Sequence, residues 1–261
     1  MDETLPRPTT PADSSSDHED EDSLFGNSDP EPSSASVKPA HTHIAPEYDI
    51  SGLHFNPSLC IPSATSVALL QAIKVHDYFR GGQINQVMLF VPSPDVQGSN
   101  TSLPSFLLDL ITVLEDILRD NIPLSTHQLL FPGNAHPCAR QAILNLYRPG
   151  EGISPHVDLV NRFGDGIIIV SLGSGTVMQL ANTQDGRALD LWLGPGSILV
   201  LEGEARYDWS HSIACRDSDL VKDPDFGKSW VPRDVRVSIT LRWMLPGADV
   251  VGGLEQASHR T

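Results

Sequence analysis

The chain has 261 residues, with 33 Asp+Glu against 17 Lys+Arg and a formal net charge of −16. That length suits one sizeable core with a tail, and the acidic balance excludes a tight non-specific grip on a duplex, which needs a basic surface. Three cysteines with no C-x-x-C pair exclude a disulfide framework and a cysteine-built zinc site, and no run of about 18 apolar residues is present to span a membrane.

In chain order, residues 1–45 are rich in Ser, Pro, Asp and Glu and poor in large apolar side chains. They are expected to form a disordered acidic tail. Ser14 and Ser16 each precede an acidic residue by three positions, a pattern that acidophilic kinases modify, and His41 and His43 are expected to be solvated. The first residues lack the character of a signal peptide or a mitochondrial presequence, so a soluble chain of the cytoplasm or nucleus is expected. A folded domain is expected over 46–250, followed by a flexible C-terminus, 251–261.

Within that domain, 46–140 reads as N-terminal α/β elements with a possible substrate lid. Ser63 is an N-cap candidate for a helix over 63–79, with Val67, Leu70 and Ile73 at helical spacing. "VMLF" (87–90) predicts a short strand. The dense apolar face of 102–120, with Pro104 near its start, predicts the longest helix. After residue 140 short apolar runs recur between Gly, Pro and Asp punctuation, which predicts a mainly β sandwich or jelly roll over 141–245.

The chemistry concentrates in "NLYRPGEGISPHVDLV" (145–160) and "RVSITLRW" (236–243). In extended chain, residues two apart share a face, so Asn145 pairs with Tyr147 and His156 with Asp158. His211 is the one histidine after residue 156 inside the folded region. Two imidazoles and one carboxylate leave coordination positions open, as in the facial triad of non-haem iron(II) oxygenases, whereas a structural zinc site needs a fourth protein ligand. On the final strand Arg236, Ser238, Thr240 and Arg242 share one face, and Val237, Ile239 and Leu241 the other. Arginines turned into a core need anions, and the strand offers none, so a small dicarboxylate is the expected partner.

The series N-x-Y, H-x-D, a distant His and R-x-S-x-T-x-R, together with "YRPGEGISPHVD", "VSLGSGTVM" and "PGSILVLEGEARYDWSHSI", resembles the AlkB family of iron(II)- and 2-oxoglutarate-dependent dioxygenases. The resemblance is clear over 141–243 and extends back to about residue 48. It implies a double-stranded β-helix, Fe(II), 2-oxoglutarate and molecular oxygen. It also implies His156, Asp158 and His211 as iron ligands, Arg236 and Tyr147 at the far carboxylate of 2-oxoglutarate, and Asn145 and Arg242 near the metal-proximal one. Ser238 stands where many members carry Asn, keeping a donor and acceptor but shortening the reach.

Oxidative demethylation or hydroxylation of a modified base in RNA or DNA is the implied reaction; the sequence does not give the oligomeric state, and a monomer is the preferred expectation. The same chemistry on a protein or another non-nucleic substrate, or an inactive β-helix serving as a binding module, are the alternatives. Family members that act on bases stack the extruded base on an aromatic side chain, and Tyr78, Phe79 and Phe90 are the substitutes here. The segment 216–234 reads as an insertion carrying Lys222, Lys228 and Arg233 among acids.

Overall fold

The computed structural model describes residues 39–41, 49–91, 102–133, 138–223 and 227–248. Ser14, Ser16, His43 and the segment 251–261 lie outside the described residues. Along the chain the elements are β1 (Ala40–His41), β2 (Leu53–Cys60), α1 (Ser63–Val75), β3 (Gln86–Val91), α2 (Ser105–Arg119) and α3 (Leu124–Leu130). Then come β4 (Arg140–Tyr147), β5 (Ile153–His156), β6 (Phe163–Gly173), β7 (Thr176–Asn182), β8 (Ala188–Leu193) and β9 (Ser197–Leu201). The chain continues with α4 (Gly203–Tyr207), β10 (Trp209–Ile213), β11 (Ser218–Asp223), β12 (Gly227–Pro232) and β13 (Arg236–Met244).

The strands form two sheets, one of order β2-β9-β6-β13-β4-β3 and one of order β12-β11-β1-β8-β7-β10-β5. The architecture is the mainly β jelly roll expected from the strand spacing. Period-two alternation gives the first sheet two different faces. Ala142, Leu144, Ile168, Val170, Val237, Ile239 and Leu241 pack beneath α1 and α2. The opposite face contributes Ile167, Ile169, Leu199 and Leu201, which meet Met178, Leu180, Leu191 and Trp209 of the second sheet. Helix α2 buries Leu107, Leu110, Leu114 and Leu118, a stripe at three- and four-residue spacing. Cutting any of these leucines to alanine costs about 2–5 kcal/mol.

The structure differs from the sequence reading in several places. Inside the segment expected to be tail, Ala40–His41 forms a two-residue parallel strand between β11 and β8, with Ala40 fully buried. The first helix stops at Val75 because Asp77 turns into the left-handed region (φ 47°), and Pro62, not Ser63, occupies its N-cap position. Pro104 likewise caps α2 from outside. Helices α3 and α4 were not anticipated: at seven and five residues they are too short to display a period.

The segment 216–234 is a β-hairpin, β11–β12, anchored by one buried carboxylate. Asp219 has no exposed surface. It accepts from Arg233 Nε at 2.7 Å and Nη2 at 2.9 Å, from Arg216 Nε at 2.6 Å and from the Val177 N–H at 3.0 Å. Burial would raise its pKa, but Arg233, the Val177 N–H and Arg216 outweigh that and hold it below the usual carboxylate range. Arg233 therefore belongs to the scaffold, not to a surface charge cluster.

Candidate active site

Between the two sheets lies a cavity lined, among others, by Asn145, Tyr147, His156, Asp158, His211, Arg236, Ser238 and Arg242. All eight residues singled out in the sequence thus reach one space. Strand pairing explains the convergence. β10 and β5 place His211 opposite His156, and the two rings lie 4.3 Å apart between centroids. Strand β5 ends at His156, so Asp158 lies just past the strand instead of on it. The turn still brings its Oδ1 to 3.7 Å from His156 Nε2. The candidate ligand atoms of His156, Asp158 and His211 all lie within 4.8 Å of one another. Among the described residues this is the one group of His, Cys, Asp and Glu that could close on an ion.

The donor chemistry fits a metal. His156 Nδ1 lies 2.8 Å from the Ser154 carbonyl oxygen, so a proton on Nδ1 donates there and leaves Nε2 as the free lone pair. Burial lowers the His211 pKa to about 4, an effect that Asp158 opposes and His156, Arg206 and Arg242 reinforce. The ring is neutral near pH 7 and able to ligate. Burial alone would raise the Asp158 pKa, but Arg242 and the two imidazoles hold it below the carboxylate norm.

The two arginines of β13 have different surroundings. Arg242 is satisfied: Nη1 meets Asp158 Oδ2 at 2.5 Å, Nε donates to Gln141 Oε1 at 2.7 Å, and the guanidinium lies 3.4 Å from the Phe163 ring centroid. This corrects the expectation that both arginines lack a protein anion. Arg236 does lack one. Its Nε donates to Ser171 Oγ at 2.9 Å, and its carbon lies 5.2 Å from the Tyr147 ring centroid. Nη1 and Nη2 are buried without a hydrogen-bond partner among the described residues. Two orphaned parallel donors in a cavity are the geometry a carboxylate fills. Ser238 sits on the same wall, and burial raises the pKa of the Tyr147 hydroxyl, an effect that neighbouring Arg236 and Ser238 oppose.

Sequence reasoning missed Gln141, Gln86 and Arg206. Gln141 shares the inward parity of Asn145 and Tyr147 along β4, which would have found it. Gln86, directly across from Asn145, donates to Asn145 Oδ1 at 2.9 Å, and no spacing within one strand signals that. Of the three aromatic substitutes, Phe79 is buried in the core and Tyr78 packs against it. Phe90 is partly exposed on β3.

A family model described as the 2OG-Fe(II) oxygenase superfamily matches residues 95–242, more than half of the chain. The chain belongs to this superfamily. Membership implies iron(II) and 2-oxoglutarate for the oxygenase domain. Several sequence relatives carry AlkB-homolog names. One is tRNA (carboxymethyluridine(34)-5-O)-methyltransferase ALKBH8 of Macaca fascicularis, 38% identical over 113 residues, which are 39% of this chain and 17% of that one. Another is the mitochondrial alpha-ketoglutarate-dependent dioxygenase alkB homolog 7 of Bos taurus, 43% identical over 96 residues, covering 36% and 41%. An uncharacterized protein, L905, of Acanthamoeba polyphaga mimivirus is 39% identical over 103 residues, covering 39% and 47%. The oxygenase domain thus aligns with less than half the length of each of these relatives. Among solved structures, that of OsALKBH1 superposes with a TM-score of 0.45 at 14% identity, covering 75% of this chain and 99% of that one. A Pseudomonas putida prolyl-4-hydroxylase gives 0.43 at 13% identity, covering 74% and 92%.

Proposed function

We propose that the chain is an Fe(II)- and 2-oxoglutarate-dependent dioxygenase that hydroxylates or demethylates a modified base in RNA or DNA. The carrying observation is that His156, Asp158 and His211 share a cavity with the orphaned guanidinium nitrogens of Arg236. A metal site and an anion site side by side are the minimum this chemistry needs. His156, Asp158 and His211 would hold the iron, and Arg236 with Tyr147 would take one carboxylate of 2-oxoglutarate. Together they supply the oxidation of a C–H bond by molecular oxygen, coupled to decarboxylation of the co-substrate.

The chain's own residues hold and orient. Asn145 is fixed by Gln86 beside the ligand cluster, and Arg242 neutralises Asp158 from one side, leaving Oδ1 for the metal. Ile143, Ile169, Met178 and Phe163 line the remaining wall, which keeps bulk water from the reacting carbon. Arg162 also lines the cavity, and its buried Nε has no partner among the described residues. That cation, together with partly exposed Met88 and Phe90 on β3, supports a substrate that is flat and carries oxyanions. The relatives whose printed names refer to tRNA or alkylated DNA favour a nucleic acid.

The test is succinate formation from 2-oxoglutarate with Fe(II), compared between wild type and His156→Ala, followed by mass spectrometry of nucleosides from bulk tRNA and methylated oligonucleotides. Equal succinate from both proteins overturns the oxygenase reading. Co-substrate turnover with every nucleoside unchanged assigns the activity to a protein or other non-nucleic substrate instead.

A further inference from the structure

We propose that Arg206 is a positioning residue for the metal: a buried cation outside the ligand set that locks the backbone of Asp158, and the loop after it, to the segment carrying His211. The inference rests on the metal-centre reading above.

Arg206 is 2% exposed. An arginine that deep ordinarily faces a carboxylate, since stripping water from an unpaired charge costs several kcal/mol. Here its hydrogen bonds run to main-chain oxygens. Nη1 donates to the Asp158 carbonyl at 3.0 Å, and Nη2 lies 3.5 Å from the Phe163 carbonyl. Nε is buried with no partner among the described residues, and the guanidinium carbon sits 4.9 Å from the Tyr207 ring centroid.

The two acceptors bracket the turn at 159–162, closed from within by the N–H groups of Arg162 and Phe163 donating to the Leu159 carbonyl at 3.2 and 3.0 Å. One planar fork therefore pins both ends of the loop that follows the candidate ligand. A guanidinium can span two carbonyls in this way, whereas an ammonium acts as a point charge.

The other side of the clamp is equally fixed. Helix α4 is tied to the turn just before β2 by Ala205 N–H donating to the Ser51 carbonyl at 3.0 Å. Trp209, 1% exposed, follows Arg206 by three residues and opens the strand that carries His211. Asp158 and His211 come from segments far apart in the chain, and the Arg206 side chain bonds one segment from the other, beside the Asp165 carboxylate, which accepts from the Gly203 N–H. The Arg206 charge also faces His211 and Asp158. The remaining ionisable groups around it are Arg242, Asp165 and Tyr207, none of which it hydrogen-bonds among the described residues.

The test uses the full chain carrying Arg206→Met, Arg206→Gln or Arg206→Lys. The readouts are Co(II) affinity, followed by the visible absorption of the bound ion, and hydrogen exchange across 158–163 in metal-free protein. We expect Met and Gln to weaken Co(II) binding by roughly 10–100-fold and to speed exchange in that loop, while Lys restores part of the affinity. A folded Arg206→Met protein with wild-type Co(II) affinity and loop exchange overturns the proposal. So do Gln and Lys variants that both keep wild-type Co(II) affinity and loop exchange, a comparison that decides the matter if the Met variant does not fold. If wild type binds Co(II) no better than His156→Ala, the metal-centre reading fails first, and that outcome is distinct from both.

Discussion

Asp219 at the base of the β11–β12 hairpin and Arg236 in the cavity are both buried ionic groups with opposite accounts. Asp219 collects two arginines and a backbone N–H, so its charge is answered within the protein. Arg236 is as deeply buried, yet two of its nitrogens are unanswered. A saturated buried charge specifies how segments dock, whereas an unsaturated one stores a deficit that only a ligand can cancel. The Asp158–Arg242 pair lies between these cases. It is satisfied from one side while the other carboxylate oxygen faces two imidazoles.

The contrast can be broken by substitution. His156→Ala or Asp158→Ala should reduce succinate formation to background, the largest effect, measured with saturating Fe(II) and 2-oxoglutarate. Arg236→Met removes a bidentate carboxylate site whose charged hydrogen bonds are worth about 1.5–3 kcal/mol each. The affinity for 2-oxoglutarate should fall by roughly 10²–10⁴-fold. The metal-free protein should melt no lower than wild type, because an unpaired buried charge has been replaced by an apolar side chain.

Asp219→Asn should do the reverse. It strands Arg233 and Arg216 and should cost about 3–5 kcal/mol of stability by denaturant titration. The folded variant should bind 2-oxoglutarate as wild type does. If it loses co-substrate affinity while Arg236→Met lowers stability, the distinction between scaffold charge and ligand-seeking charge is wrong.

The smallest effect is in acid. Asp219 has a native pKa below its unfolded-state value, so the unfolded chain takes up its proton first as pH falls. Its stabilisation is complete above the ordinary aspartate range, near pH 4, and is lost as pH drops through the lower native value. Denaturant midpoints of metal-free protein between neutral and acid pH should show this loss in wild type and a shallower one in Asp219→Asn.

Much of the site was legible because its residues sit at strand parity on single elements: Asn145 with Tyr147, and Arg236 with Ser238 and Arg242. The orientation of β13, polar inward and apolar toward the helices, followed from the same alternation. Pairing between distant segments was not legible. Nothing in the local pattern links Asp158 to Arg242, Gln86 to Asn145, or Arg206 to the Asp158 carbonyl, because each bond depends on cross-strand register or loop closure. The hairpin looked like a mixed-charge insertion because the partners of Asp219 lie three and fourteen residues away and on β7. The strand at Ala40–His41 was hidden because two residues, flanked by β11 and β8, carry no period of their own.

Strand β5 is the outermost member of its sheet, hydrogen-bonded along one side to β10. His156 therefore rides on the margin of the domain, while its counterpart His211 lies one strand inward. An ion bridging the two rings would fasten that margin to the interior, so a bound metal would act as a rivet for the lip of the sheet as well as a reagent. Stripping it should quicken amide exchange at 153–156 long before the rest of the jelly roll loosens.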